Sequence, residues 1–165
     1  MLKLAGGIIV ILSMGLFGNF MYREMEKKLK LTEDLKNGFS YIKSDISLAS
    51  YVLSDVLKRG LEFAGEGKFI FENCSFFMIN DNKNFENAWE LSLKDIKDVR
   101  LLEILSEVGK RLGKNTAEEE VAFLESISKK LDAYSDFQRK KLSSEGKILK
   151  KAGFILGLAT VILLF

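Results

Sequence analysis

The stretch LAGGIIVILSMGLFGNFMY, Leu4 to Tyr22, carries no charged side chain, and AGFILGLATVILLF, Ala152 to Phe165, is a second uncharged run. A helix needs roughly 20 apolar residues to cross a hydrocarbon core of about 30 Å. The first run nearly reaches that length, with Ser13 and Asn19 as its polar side chains. It is longer than the apolar part of a cleaved signal, and no small-residue cleavage site follows it. Tyr22-Arg23-Glu24-Met25-Glu26 continues a helical pattern, so the run reads as a retained anchor. The second run has 14 residues, or about 21 Å of helix. It spans if Lys147, Lys150 and Lys151 reach up to the interface and earlier turns of the same helix supply the missing length. The expected layout is a tail at 1–3, a membrane helix at 4–22, a folded domain at 23–151 and a second membrane helix at 152–165.

Basic residues set the orientation. Beyond the first anchor stands only Lys3, whereas Arg23, Lys27 and Lys28 lie on its inner flank and Lys147, Lys150 and Lys151 before the second. The positive-inside bias therefore puts the domain in the cytoplasm and both termini at the far face. The formal net charge of +2 conceals a split: residues 23–30 and 139–151 together hold ten basic and three acidic side chains, while residues 31–138 hold 14 basic and 20 acidic. The positive charge belongs to the membrane edge, where anionic headgroups favour it. An acidic central domain argues against nucleic acid as a ligand.

The chain has no proline and no histidine. The first absence fits long uninterrupted helices; the second removes the commonest general base and zinc ligand. Cys74, the single cysteine, lies in FENCSFFM (71–78) and reads as an apolar filler, consistent with a reducing compartment.

Between the anchors the pattern is helical. Leu35, Phe39, Ile42, Ile46, Ala49, Val52 and Val56 recur at steps of three and four. A serine-rich stretch predicts a break near residue 50, and Lys58-Arg59-Gly60 a helix end. Residues 68–79 are too uniformly apolar to separate helix from strand, and residues 80–84 form a polar loop. Phe85 to about Leu93 reads as a helix carrying Trp89, most simply a core residue. Asp98 to Leu112 is another, with Lys110 and Arg111 in its last turn and Gly113 beyond it. Thr116-Ala-Glu-Glu119 fits a capping box that opens a long helix running unbroken into the second anchor. The fold class is all-α: a bundle of about six helices between two terminal membrane helices.

Chemistry-bearing patterns fail on their details. Asn80-x-Asn82-x-Asn84 begins like a calcium loop but has Phe85 where glycine and Leu91 where glutamate are needed. Glu118, Glu119 and Glu120 lack the histidine of a bundle di-iron site, and the helix dipole accounts for them. No glycine-rich phosphate loop occurs. No catalytic, cofactor or metal residues are expected. Gly153-x-x-x-Gly157 is a small-residue membrane-helix contact signal, and Gly109 with Gly113 permits a close helix approach; homo-oligomerisation stays open.

The succession of a basic-flanked anchor, Ala88-Trp89-Glu90, the stretch EILSEVGKRLG (103–113) and a long helix into a C-terminal anchor resembles the stage III sporulation protein AB family over essentially the whole chain. Its most specific element is met by Leu105, Gly109, Leu112 and Gly113. The family usually continues with Ser-Asp and, four residues after the Asp, Gln; this chain has Asn115-Thr116 and Glu120. The resemblance implies a non-enzymatic component of a sporulation channel, in the mother-cell membrane around the forespore. It implies a soluble domain similar to the platform proteins of type II secretion and type IV pilus machines. The implied partner is a secretion-type ATPase, stage III sporulation protein AA, whose work the platform couples to membrane rings. On that reading the acidic surface suits a basic patch of the ATPase, and the helix after Thr116 transmits tilt or torque. Two alternatives are a platform of a pilus or secretion machine outside sporulation, and a membrane-bound hydrolase using paired carboxylates, although no pair in a cleft is singled out.

Overall fold

The apolar run after Leu4 and the three-and-four spacing after Leu31 belong to one helix, α1 (Leu2–Leu48), because no proline or capping residue interrupts them. The computed structural model describes residues 2–48 and 53–164. The break expected near residue 50, with Ala49 and Val52, lies outside the described residues. There follow α2 (Leu53–Gly60), two short 3-10 turns (Leu61–Phe63, Gly65–Gly67), α3 (Lys68–Asn80), α4 (Phe85–Ser92), α5 (Val99–Arg111) and α6 (Ala117–Lys141). A π turn (Leu142–Gly146) leads into α7 (Lys147–Leu164). The described residues are all-α. The chain divides into two units, one of residues 1–29 and 136–165, the other Lys30–Ser135.

The second unit is a bundle of six helices, α1 to α6, around one apolar core. α1 contributes a single stripe, Leu35, Phe39, Ile42 and Ile46, all essentially without solvent contact. Against it pack Val56 and Leu57 of α2, Ile70, Phe71 and Cys74 of α3, and Leu124, Ile127 and Leu131 of α6. The segment of ambiguous type, 68–79, is a helix. Ile70, Phe71 and Cys74 point inward while Phe76 and Ile79 are exposed. Being apolar on both faces, it has no periodicity from which its type can be read. Asp34 fixes the turn after α2, its Oδ2 accepting from the backbone N–H of Glu66 at 2.8 Å, while Lys30 pairs with the Glu66 carboxylate at 3.2 Å.

The long C-terminal helix is not unbroken as expected. Ser143 and Ser144 turn their hydroxyls back to the carbonyl of Lys140 at 2.8 and 2.9 Å. Such back-bonding competes with the helical ladder, and residues 142–146 widen into the π turn between α6 and α7.

Cys74 is fully buried, and burial pushes its thiol up to about 12. A thiolate is the reactive form, so native full-length protein at neutral pH is expected to label with a maleimide at least about 10³-fold more slowly than unfolded chain. Equal rates would place Cys74 at the surface. Because the folded thiol holds its proton where the unfolded thiol has lost it, this group's contribution to stability is intact below pH 9.0 and declines as pH rises from there towards about 12.

Candidate functional site

Within the first unit, α1 and α7 form an antiparallel hairpin whose contact line is built of glycines. A β-carbon on Gly18 would lie 2.6 Å from the carbonyl oxygen of Leu149, one on Gly157 2.9 Å from Cα of Ile11, and one on Gly153 would overlap the Met14 carbonyl. Gly153 and Gly157, the pair marked in the sequence, therefore both face α1, and Gly18 is the residue the sequence reading missed. Its neighbour Gly15 meets nothing within 4 Å, so spacing alone does not distinguish the two. Backbones this close gain dispersion contacts that larger side chains would forbid.

The register runs Ile11 to Gly157, Met14 to Gly153, Gly18 to Leu149 and Tyr22 to Gly146. Continued, it brings the last turn of α7 to the level of the first turn of α1. Lys150 starts level with Gly18, yet its ammonium lies 5.2 Å from the ring centre of Tyr22, one turn further along. Here the lysine stem covers apolar surface while its charge moves to the aromatic end of the run. Outward, the hairpin exposes Ile8, Ile9, Leu12, Leu16, Phe17 and Phe20 on α1 and Phe154, Ile155, Leu156 and Ile162 on α7. Arg23, Lys27, Lys28, Lys147 and Lys151 are exposed, as Lys150 is. Among the described residues one helix, α1, is long and apolar enough to cross a membrane; α7 has three lysines in its first turns.

Replacing Gly153 with Leu is expected to force the hairpin apart at a cost of about 1–3 kcal/mol. Gly15→Leu, which meets open space, is the matched control. The distance between spin labels on the exposed Leu12 and Ile155 reports the separation: Gly153→Leu should lengthen it and Gly15→Leu should not.

In the second unit the marked residues converge on one corner. The indole of Trp89 donates to the carbonyl of Leu105 at 2.8 Å and is fully buried. It sits among Phe39, Phe71 and Phe85 at ring-centre distances of 6.0, 5.5 and 5.6 Å. A β-carbon on Gly109 would lie 2.8 Å from Cδ1 of Trp89, so glycine there admits the indole to the Leu105 carbonyl one turn earlier. Leu105 and Leu112 are buried beside it. Gly113, with φ +83°, takes the left-handed conformation that terminates α5.

The turn beyond Gly113 is held by a residue that the sequence reading treated only as a helix-dipole acid. Glu120 is fully buried, and its Oε1 accepts from three consecutive backbone N–H groups, Gly113 at 2.9 Å, Lys114 at 3.0 Å and Asn115 at 3.0 Å. The Asn115 amide adds a fourth contact at 3.4 Å. Its Oε2 is buried with no hydrogen-bond partner among the described residues. Beside it the capping box forms as expected: Thr116 N–H donates to Glu119 Oε2 at 3.2 Å and Glu119 N–H to Thr116 Oγ1 at 3.4 Å. Glu118 and Glu119 are exposed, so the three glutamates do not gather at one point. In the sequence the position was marked by the resemblance alone, which implies Gln there, a side chain that also offers an oxygen to such a turn.

A helical bundle with a buried Trp–Gly corner, in a chain that also forms a glycine-packed apolar hairpin, defines the class. The chain belongs to the stage III sporulation protein AB family, whose model matches residues 3–165. Its role is accordingly in sporulation. Searches of curated proteins and of solved structures find no match.

Proposed function

We propose that the protein is a non-catalytic platform of a sporulation channel complex, held in the mother-cell membrane by both arms of its hairpin, with its bundle in the cytoplasm. There it couples a secretion-type ATPase, stage III sporulation protein AA, to the membrane rings. The observation that carries this reading is the hairpin: outward apolar side chains on both helices, a glycine seam between them, and Lys150 drawn to Tyr22 at the basic end. Such a surface is stable in lipid and would aggregate in water. Basic side chains at 23–30 and 139–151 support a cytoplasmic bundle. The bundle's fully buried carboxylate, Glu120, is engaged by backbone amides, which fits a structural role better than an acid–base one.

Deleting the gene in its sporulating host tests the reading, with forespore development scored in the deletion and in complemented strains. Arrest after engulfment, relieved by the full chain and not by residues 23–151 alone, supports a membrane platform. Normal spores from the deletion, or rescue by the anchor-free segment, would overturn it. Protease added to intact cells should spare the bundle.

A further inference from the structure

Two adjoining cavities of about 510 and 130 Å³ share Glu90, Leu93 and Ser106 and form one groove between α4 and α5. One wall is Asn87 and Leu91 on α4 with Lys94 in the turn beyond it, and the other is the α5 row Leu102, Ser106 and Lys110. The α5 wall is low, because Ser106 and Gly109 carry little bulk. Leu91, Leu93, Ile96 and Leu102 make the lining apolar, and at its inner end lies Trp89.

The charge of the groove departs from that of its domain. Residues 31–138 carry a net −6, yet Lys83, Lys94 and Lys110 line this one cleft. Among the described residues none of the three forms an ion pair, nor do Lys43, Lys58 and Lys97, whereas Lys30, Lys36, Lys68, Lys114, Lys129 and Lys130 each hold a carboxylate; the groove is where three such charges gather. Of the two acids in the lining, Glu86 is neutralised by Lys114 at 2.7 Å, which leaves Glu90 against three ammonium groups. An apolar cleft rimmed by uncommitted positive charge complements a ligand apolar in the middle and negative at its flanks. From Leu102 to Lys110 the wall runs about 12 Å, the length of two to three helical turns. A single-stranded nucleic acid would stack its bases on exposed aromatic platforms; Trp89 is buried.

We propose that the groove between α4 and α5 docks an acidic amphipathic helix of a partner protein, its apolar face on Leu91, Ile96 and Leu102 and its carboxylates on Lys83, Lys94 and Lys110. Helix-in-groove recognition of this kind is read as apolar anchors at i, i+3 or i+4, and i+7. The docking does not depend on the coupling role proposed above.

The test presents the full chain in lipid nanodiscs to a phage-displayed library of random peptides of about 16 residues, long enough for some four helical turns. Selection runs in parallel on the Lys94→Glu/Lys110→Glu and Ser106→Phe variants, each checked by circular dichroism and melting. Enriched peptides should combine helical apolar spacing with net negative charge. Their binding should shift the emission of Trp89, the only tryptophan, and should weaken at least about tenfold in both variants. Enrichment of basic peptides, no enrichment over the variants, or equal binding to the charge-reversed pair would overturn the proposal. So would a bait that self-associates until Ser106→Phe makes it monomeric, since the occupant would then be a second copy. If Ser106→Phe fails to fold, the exposed charge-reversal pair decides.

Discussion

Trp89→Ala is expected to lower the unfolding free energy of the full chain by about 3–5 kcal/mol, the range for removing a large buried aromatic from a close-packed core. Domains of this size have a total stability of about 5–15 kcal/mol, so the change removes a large share and would abolish function through folding. The loss has two parts. Contacts with Phe39, Phe71 and Phe85 disappear, and a cavity opens where α1, α3, α4 and α5 meet. The indole N–H also gives up its bond to Leu105, although that carbonyl keeps its place in the helical ladder. Trp89→Phe keeps most of the contacts and loses the polar bond, so it should cost about half as much or less. Gly109→Leu attacks the same corner from the other side, because even its first side-chain atom would stand 2.8 Å from the ring. It should cost at least about 1–3 kcal/mol as overpacking. The two positions share a contact, so Gly109→Ala should be milder in the Trp89→Phe background than alone. Urea denaturation followed by circular dichroism measures the four single variants and the double variant. A Trp89→Ala chain that unfolds at the wild-type midpoint would show that the corner contributes nothing to the core.

The bundle was legible in the sequence wherever one face of a helix is apolar and the other is not. Leu35, Phe39, Ile42 and Ile46 form one buried stripe at the expected spacing, and Leu101, Leu105 and Val108 do the same on α5. The capping box at Thr116 was legible, and the helix starts read at Phe85 and Asp98 fall within a residue of those observed, where Asn84 and Asp98 prove to be the caps. Three features were not. The type of 68–79 was hidden because α3 is apolar on its exposed face too. The π turn at 142–146 depends on two serine hydroxyls that solvent-facing helices also tolerate. Gly18 looked like any small residue in an apolar run, since only the register of the opposite helix distinguishes it from Gly15. The groove between α4 and α5 is a property of two separate segments, and no window along the chain contains both.

Glu120 is the second large effect, and the chemistry of its replacement separates the explanations. Glu120→Ala should destabilise the chain by about 2–4 kcal/mol, since hydrogen bonds to a charged acceptor are each worth about 1.5–3 kcal/mol and the turn loses three backbone partners together. The sum is reduced because Gly113, Lys114 and Asn115 lie at the surface, where water can replace part of what is lost, and because burying the carboxylate was itself costly. Glu120→Gln keeps an oxygen for the three N–H groups but puts an amide nitrogen, a donor, at the buried position where Oε2 has no partner among the described residues. It should still cost less than alanine, because the bonds to the three backbone N–H groups persist. If the role were charge against the N-terminal dipole of α6, Gln would lose it as fully as Ala. Hydrogen exchange provides the local readout: the amides of residues 113–115 should exchange at least about tenfold faster in Glu120→Ala and near the wild-type rate in Glu120→Gln. Equal acceleration in both variants would reject the acceptor role and leave charge as the cause.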